Sequence, residues 1–185
     1  VFVEAPLVVG DMMAADAFSR RENLTCFAAG EKGDVERAWP LLEVLVGAVH
    51  ETGGSGSAQL ARAAYTLQTA AQVVSAIEAD ALYRAVMGST AGPNREARRV
   101  GAVSPQAERV LAAINDDRFS GPYTCEMFMA ELSAALMAAD DVDLILPQAE
   151  AAMHLLELLA VIGGSDLTPA ALALVYGDEK SCARH

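Results

Sequence analysis

Residues 56–80 read GSAQLARAAYTLQTAAQVVSAIEAD and predict a single long helix with two different faces. Aliphatic side chains recur at steps of three and four residues, which places them together on one face. A second row, on another face, is polar. We expect the aliphatic face to pack and the polar face to line a water-filled crevice. The aliphatic row is Leu60, Ala64, Leu67, Ala71, Val74 and Ile77, and the polar row is Gln59, Arg62, Thr66 and Thr69.

Helix start and stop signals predict that this helix runs from Ser57 to about Met87. Four more helices are expected after it, because a capping residue or a proline at the first helical position opens each one. They cover about 105–115, 124–139, 147–163 and 169–177. The residues before residue 55 predict a small α/β piece. It has an opening strand, a short helix or ordered loop over 11–21, a strand over 24–28, a helix capped by Gly33-Asp34 with Pro40 near its start, and an extended segment over 46–51.

The composition favours a helical core. The 185 residues are 53% hydrophobic but only 5% aromatic, so small and aliphatic side chains supply the apolar volume. This hydrophobic fraction is higher than a soluble domain needs, and the surplus predicts a subunit or domain interface.

The net charge of −12 argues against nucleic acid as a partner, because phosphate binding depends on clustered cations. One local exception is the group Arg95, Arg98 and Arg99, which predicts either a solvated surface or a contact with an anion or a partner.

The cysteines and the hydropathy pattern indicate the cellular setting. Cys26, Cys125 and Cys182 are an odd number without close spacing, which favours reduced thiols over a disulfide framework or a zinc site. His50 is interpreted as a loop histidine and His154 as a histidine that packs between helices, rather than as ligands, so no metal is expected. No apolar run approaches the ~20 residues that a membrane helix requires. These features predict a cytoplasmic protein without a membrane partner.

The start of the long helix resembles the β-hydroxyacid dehydrogenases, the family of 3-hydroxyisobutyrate and 6-phosphogluconate dehydrogenases. In that family the helix begins G-S-G-Q-x-x-K-x-x-N-N. Here Gly56, Ser57 and Gln59 match, and Ala58 replaces the second glycine. In the same ungapped register, Arg62 lies at the position of the catalytic lysine.

Two other stretches agree with this alignment. The run 3–7, VEAPL, is similar to the family's apolar-Asp-Ala-Pro-Val run, although Val8 stands where a substrate-binding serine normally follows. Farther on, residues 128–132, FMAEL, lie where the family has a Lys-Asp-Leu motif, and Glu131 keeps its acidic residue. The resemblance covers nearly the whole chain in layout, and each reactive motif departs from the pattern.

The resemblance implies a mainly α fold, the helical C-terminal domain of the 6-phosphogluconate dehydrogenase-like type with a long first helix. Residues 1–54 would then be a short α/β segment, the end of a Rossmann-type dinucleotide-binding domain, and residues 55–185 an all-helical substrate and dimerisation domain. No Gly-x-Gly-x-x-Gly follows a strand and opens a helix, so the main motif for NAD or NADP is absent from this sequence. We therefore expect a fragment, or a protein whose cofactor domain is missing.

For function, the resemblance implies the C-terminal part of an NAD(P)-dependent oxidoreductase that forms a homodimer. Its substrate would be a small hydroxy acid, carbonyl or imine, and this chain alone is expected to be inactive. A different interpretation is a catalytically silent dimerisation or binding module that retains the fold. The replacement of a serine by Val8 favours this alternative.

The resemblance also gives roles to individual residues. Arg62 takes the catalytic position, but a guanidinium stays charged and suits clamping an anion rather than transferring a proton. The alternative for Arg62 is an ordinary salt bridge, either on the surface or to another subunit. Thr66 lies where the family uses an asparagine to hold substrate, and it either keeps that contact or bonds to its own helix. Glu131 is either a cleft acid or an exposed glutamate. The implied substrate-binding residues are Gln59, Thr66, Glu131, Gly56 and Ser57, and Tyr65 is a further candidate donor.

Overall fold

The structure, a computed structural model, describes residues 2–87, 100–101 and 103–177. In these ranges a small sheet is followed by a layer of helices. The strands are β1 (Val3–Glu4), β2 (Leu7–Val9), β3 (Leu24–Gly30) and β4 (Ala48–Gly53). The helices are α1 (Lys32–Leu45), α2 (Ser57–Met87), α3 (Pro105–Asn115), α4 (Cys125–Asp140) and α5 (Pro147–Val161), and short 3-10 helices span Arg21–Asn23 and Pro169–Tyr176.

The sheet is built around β3. Strands β1 and β2 both run antiparallel to it and keep one register, so they form one strand that is interrupted at Ala5-Pro6. The interruption follows from the proline, which has no N–H to give to a ladder. Its carbonyl still accepts a hydrogen bond of 3.1 Å from the Phe27 N–H. Strand β4 pairs with β3 in parallel.

Helix α2 is the central element of the helical layer. It contacts α3, α4, α5 and the last 3-10 helix, and it also packs on β3 and β4. One hydrophobic core therefore extends from the sheet into the helices, and the predicted boundary at residue 54 lies in the turn that joins them. Large side chains buried in this core include Met12, Val46, Val73, Ile77, Phe128, Leu132, Leu156 and Leu159.

The orientation of α2 corrects the prediction about its two faces. Leu60, in the aliphatic row, is 67% exposed, whereas Thr66 and Thr69, in the polar row, are 1% and 5% exposed. The buried stripe continues from these threonines through Val73 and Ile77. Burial of Thr66 is tolerated because its hydroxyl donates to the Glu131 carboxylate on α4.

Three helix boundaries agree closely with the sequence signals. Helix α2 spans the predicted 57–87. Ser104 caps α3 by accepting a hydrogen bond from the Ala107 N–H, and Thr124 caps α4 in the same way from the Met127 N–H. A hydroxyl oxygen that accepts from an N–H in the first turn is the expected cap chemistry.

Other predictions about the helices are wrong in detail. Helix α1 begins at Lys32, so Asp34 lies inside the first turn, where it pairs with Arg37 instead of capping. Pro40 is in the middle of α1 rather than near its start. It is exposed, so water can reach the carbonyl left without a donor. The last predicted helix is a 3-10 helix. In the ranges that the structure describes, no helix is both long and apolar enough to cross a membrane.

Candidate functional site

A cleft of about 290 Å³ lies between the first turns of α2 and the middle of α4. Four of the six residues implied by the resemblance line it, namely Gly56, Gln59, Arg62 and Glu131. The periodicity of the two helices explains this grouping, because residues three or four apart share a face. The remaining lining is apolar and consists of Leu60, Ala63, Ala134 and Ala138.

The other two implied residues do not line the cleft. The Ser57 hydroxyl donates to the Gly54 carbonyl at 2.7 Å and lies 3.0 Å from the Thr52 hydroxyl, so it closes the turn before α2. Thr66 is buried behind the cleft and lies 3.4 Å from Glu131 Oε2, to which its hydroxyl donates. Thr66 thus contacts a cleft residue instead of facing the cleft itself.

Glu131 is held in place by two hydroxyl groups. In addition to Thr66, the Tyr123 hydroxyl donates to Glu131 Oε2 at 2.9 Å. Tyr123 is only 2% exposed and its ring stacks on Phe18, with 6.1 Å between the ring centroids. Burial, and then the negative charge of Glu131, raise the pKa of Tyr123 far above its ordinary value. Tyr123 is therefore a proton-bearing donor to this carboxylate at physiological pH.

Arg62 lies one turn before Thr66 and is half-buried. Among the described residues, no hydrogen bond or ion pair is formed by its guanidinium. The surface salt bridge considered from the sequence is therefore absent from this part of the chain. A half-buried cation without a protein partner is suited to an anionic ligand.

The end of β2 is held by side chains from two helices. The Tyr65 hydroxyl donates to the Val9 carbonyl at 2.8 Å, and Arg109 donates to the Gly10 carbonyl at 2.8 Å. Burial raises the pKa of Tyr65. Tyr65, a candidate donor from the sequence, thus binds backbone and does not line the cleft. Val8 is 4% exposed in β2, so the position of the family's serine carries a buried aliphatic side chain.

A carboxylate from β1 occupies the N-terminus of α2. Glu4 Oε1 accepts hydrogen bonds from the Ser55 hydroxyl at 2.7 Å and from the Gly56 N–H at 2.6 Å. These two hydrogen bonds, the one from Ser55 first, lower the pKa of Glu4. Gly56 has φ +91°, a left-handed conformation that favours glycine. The positive end of the helix is therefore neutralised by the protein's own side chain.

The thiols and histidines of the described ranges lie outside the cleft. Cys125 is buried, its S–H donates to the Thr168 carbonyl at 3.3 Å, and burial raises its pKa to about 12, so it is not an activated nucleophile. His154 is exposed at the surface beside Glu157, at 3.8 Å, instead of packing between helices. The described residues contain no group of three potential metal ligands. Cys182 and the cluster of Arg95, Arg98 and Arg99 lie outside the residues that the structure describes.

Two residues that hold the surroundings in place were not found from the sequence, namely Tyr123, which fixes Glu131, and Arg109, which holds the end of β2. Tyr123 precedes α4 in a loop and Arg109 is on α3, and neither belongs to a periodic pattern or a motif. Their positions depend on how α3 and α4 pack against α2. The one local signal is that Tyr123 lies immediately before the Thr124 cap, where the direction of the chain into α4 is set.

Comparisons with solved structures reveal the fold. A 3-hydroxyisobutyrate dehydrogenase from Mycobacterium tuberculosis, solved with L-serine, is 20% identical with a TM-score of 0.80, over 95% of this chain and 61% of that one. A 3-hydroxyisobutyrate dehydrogenase from Salmonella typhimurium is 18% identical with a TM-score of 0.76, over 94% and 59%. A structure described as Psf3 in complex with NADP+ and 2-OPP is 17% identical with a TM-score of 0.74, over 95% and 60%.

The chain thus spans about three-fifths of the length of these proteins. Protein-family models and curated proteins give no match. The predicted fold class is confirmed, and so is the resemblance to β-hydroxyacid dehydrogenases at the level of the fold.

Proposed function

We propose that this chain is the helical, substrate-binding part of an NAD(P)-dependent oxidoreductase that acts on a small hydroxy acid, carbonyl or imine. The observation that carries the proposal is the cleft between α2 and α4. It brings together Gln59, Arg62 and Glu131, three residues selected by alignment to the reactive positions of β-hydroxyacid dehydrogenases. The fold of 3-hydroxyisobutyrate dehydrogenase supports the same interpretation.

Arg62 has the chemistry of an anion clamp in this proposal. A guanidinium donates through a planar fork that matches a carboxylate, and it stabilises negative charge that develops on a substrate oxygen. It does not serve as a practical acid or base, in contrast to the lysine that the family has at this position. Arg62 therefore binds and orients the substrate, and proton transfer falls to another group.

The described residues do not fit the diphosphate of NAD or NADP. Among the described residues that line the cleft, the helix start is that of α2, and its Gly56 N–H is already bonded to Glu4. A phosphate placed there would meet a carboxylate instead of free N–H groups. The proposal therefore requires nucleotide-binding residues other than these. That Psf3 was solved with NADP+ supports a nicotinamide cofactor without deciding between NAD and NADP.

The test is hydride transfer by the native polypeptide. NADH and NADPH oxidation would be followed with a panel of carbonyl and imine compounds, and NAD+ and NADP+ reduction with 3-hydroxy acids. Arg62→Ala is expected to lower kcat/KM by about 10²–10³-fold, the loss typical of removing one charge-stabilising donor. Arg118→Ala is the matched control, because Arg118 is an exposed arginine that pairs with Asp116 and does not line the cleft. Absence of hydride transfer with every compound would end the proposal.

The second candidate function is a dimerisation or binding module without catalysis. Val8 favours it, because a buried aliphatic group lies where the family has a hydroxyl. A homodimer is part of both candidates and is supported by the exposed aliphatic side chains of the helical layer, such as Leu82, Ile145 and Val161. The two candidates differ in cofactor binding, since the module would associate with itself but would not bind NAD or NADP.

A further inference from the structure

The cleft between α2 and α4 carries one positive and one negative side chain. Arg62 and Glu131 are the ionisable residues among those that line it, and both are half-buried. The neighbours are small or aliphatic, with the Gln59 amide as a further polar group. A half-buried charge is costly without a partner, so a ligand that neutralises both charges gains the most.

Arg62 and Glu131 do not neutralise each other. No ion pair joins them in the described part of the chain. Glu131 is instead held by hydrogen bonds on one oxygen only, since the Tyr123 and Thr66 hydroxyls both donate to Oε2. Glu131 Oε1 accepts no hydrogen bond from the described residues. One carboxylate oxygen and the whole guanidinium are therefore available to a ligand.

We propose that this cleft selects a small zwitterionic substrate, with its carboxylate on Arg62 and its protonated nitrogen on Glu131. Tyr123 is the positioning residue, because its buried hydroxyl fixes the Glu131 carboxylate. This inference rests on the proposed function in one respect, that the cleft is the substrate site. It goes further by naming the substrate class, an amino acid or a protonated imino acid.

The two charges of the cleft distinguish zwitterions from hydroxy acids and from simple amines. A hydroxy acid without nitrogen satisfies Arg62 but leaves Glu131 unpaired and adds a second negative charge beside it. An amine without a carboxylate leaves Arg62 unpaired. A charged N–H donor also binds a carboxylate more strongly than a neutral hydroxyl does. A cleft volume of about 290 Å³ suits a ligand of a few heavy atoms.

The test compares three probes of similar size on the native polypeptide, namely β-alanine, 3-hydroxypropionate and 3-amino-1-propanol. Dissociation constants would be measured by NMR titration with and without NAD+ or NADP+. We expect β-alanine to bind ~10–100-fold more tightly than either single-charge probe, the effect of one added hydrogen bond between charged groups. Equal binding of β-alanine and 3-hydroxypropionate, or no binding of any probe at millimolar concentration, would overturn the inference.

Variants assign the two ends of the ligand. Glu131→Gln is expected to remove the preference for β-alanine over 3-hydroxypropionate, and Arg62→Ala the preference for β-alanine over the amino alcohol. Tyr123→Phe, which keeps the buried ring, should reduce the first preference and leave the second unchanged. If Glu131→Gln weakens all three probes equally while the variant remains folded by circular dichroism, Glu131 does not select the nitrogen. Binding preference is measured without turnover, so it can fail or hold independently of hydride transfer.

Discussion

Tyr123 is the residue that connects the core of the helical layer to the cleft. Its ring is buried and its hydroxyl donates to a carboxylate, an interaction stronger than a hydrogen bond between neutral groups. We expect Tyr123→Phe to lower the free energy of unfolding by about 1 kcal/mol, because Glu131 is only partly buried and water can replace the lost donor. Urea denaturation measures this change. Tyr83→Phe is the control, since no hydrogen bond of its hydroxyl is found among the described residues, and it should be close to neutral.

Cys125 leads to a prediction about alkaline pH. Burial raises its pKa from 9.0 to about 12, so above pH 9 the unfolded chain loses this proton while the folded chain keeps it. The contribution of this thiol to the free energy of unfolding is therefore fully present below pH 9. Between pH 9 and 12 it is lost, at about 1.4 kcal/mol per pH unit. Cys125→Ala should reduce the decrease in the free energy of unfolding with pH, measured by denaturation curves at a series of pH values. An unchanged slope would mean that the thiol is not protected.

At this scale the sequence predicted only part of the site. Arg62 and Glu131 were found because each lies in a run that aligns with a motif, and the packing of α2 against α4 brings them into one cleft. Tyr123 and Arg109 escaped prediction, because their contacts join residues from separate elements. Thr66 was predicted either to contact substrate or to bond to its own helix, whereas its hydroxyl donates to Glu131 on α4.

At the level of the helices, the two N-caps Ser104 and Thr124 differ, because only the Ser104 side chain also bonds to a second helix. Thr124 accepts one hydrogen bond from the Met127 N–H at 3.3 Å. Ser104 accepts one from the Ala107 N–H and also donates to Gln72 Oε1 at 2.8 Å, so it links α3 to α2. We expect Thr124→Ala to cost about 1 kcal/mol, the usual loss for an N-cap, and Ser104→Ala to cost more. Equal losses in thermal unfolding would show that the Gln72 contact contributes nothing.

Helix boundaries were predictable because capping and proline signals are local. Ser104, Thr124 and Pro147 each mark a start that the structure confirms within one residue. The face that α2 buries was not predictable in the same way. Alanine-rich helices have aliphatic residues on several sides, and the partner helices decide which side is covered. Leu60 is consequently exposed and Thr66 buried.

At the scale of the whole molecule, the proposed homodimer makes a testable prediction. A shallow apolar groove of about 170 Å³ lies between α2 and the start of α5, lined by Leu67, Ala71 and Pro147 among others. Ile145, just before α5, is 77% exposed. A carboxylate there would be costly to bury in an interface. We expect Ile145→Asp to weaken dimerisation at least about tenfold by analytical ultracentrifugation, a change of ~1.4 kcal/mol.

The control for the dimer is Val44→Asp, which is 70% exposed and lies on α1, a helix that packs on the sheet. It should leave the association constant unchanged. A native protein that sediments as a monomer, or a loss of association that is the same for both variants, would contradict this arrangement. The sequence composition predicted an interface, but it did not indicate which aliphatic side chains would form it.

The role of the cleft as the substrate site is tested most directly by a crystal structure of the native protein with nicotinamide cofactor and a substrate that it turns over. We expect the substrate to occupy the cleft between α2 and α4, with an anionic group hydrogen-bonded to the Arg62 guanidinium and Glu131 held by Tyr123. A substrate bound elsewhere, with Arg62 directed into bulk water, would contradict it.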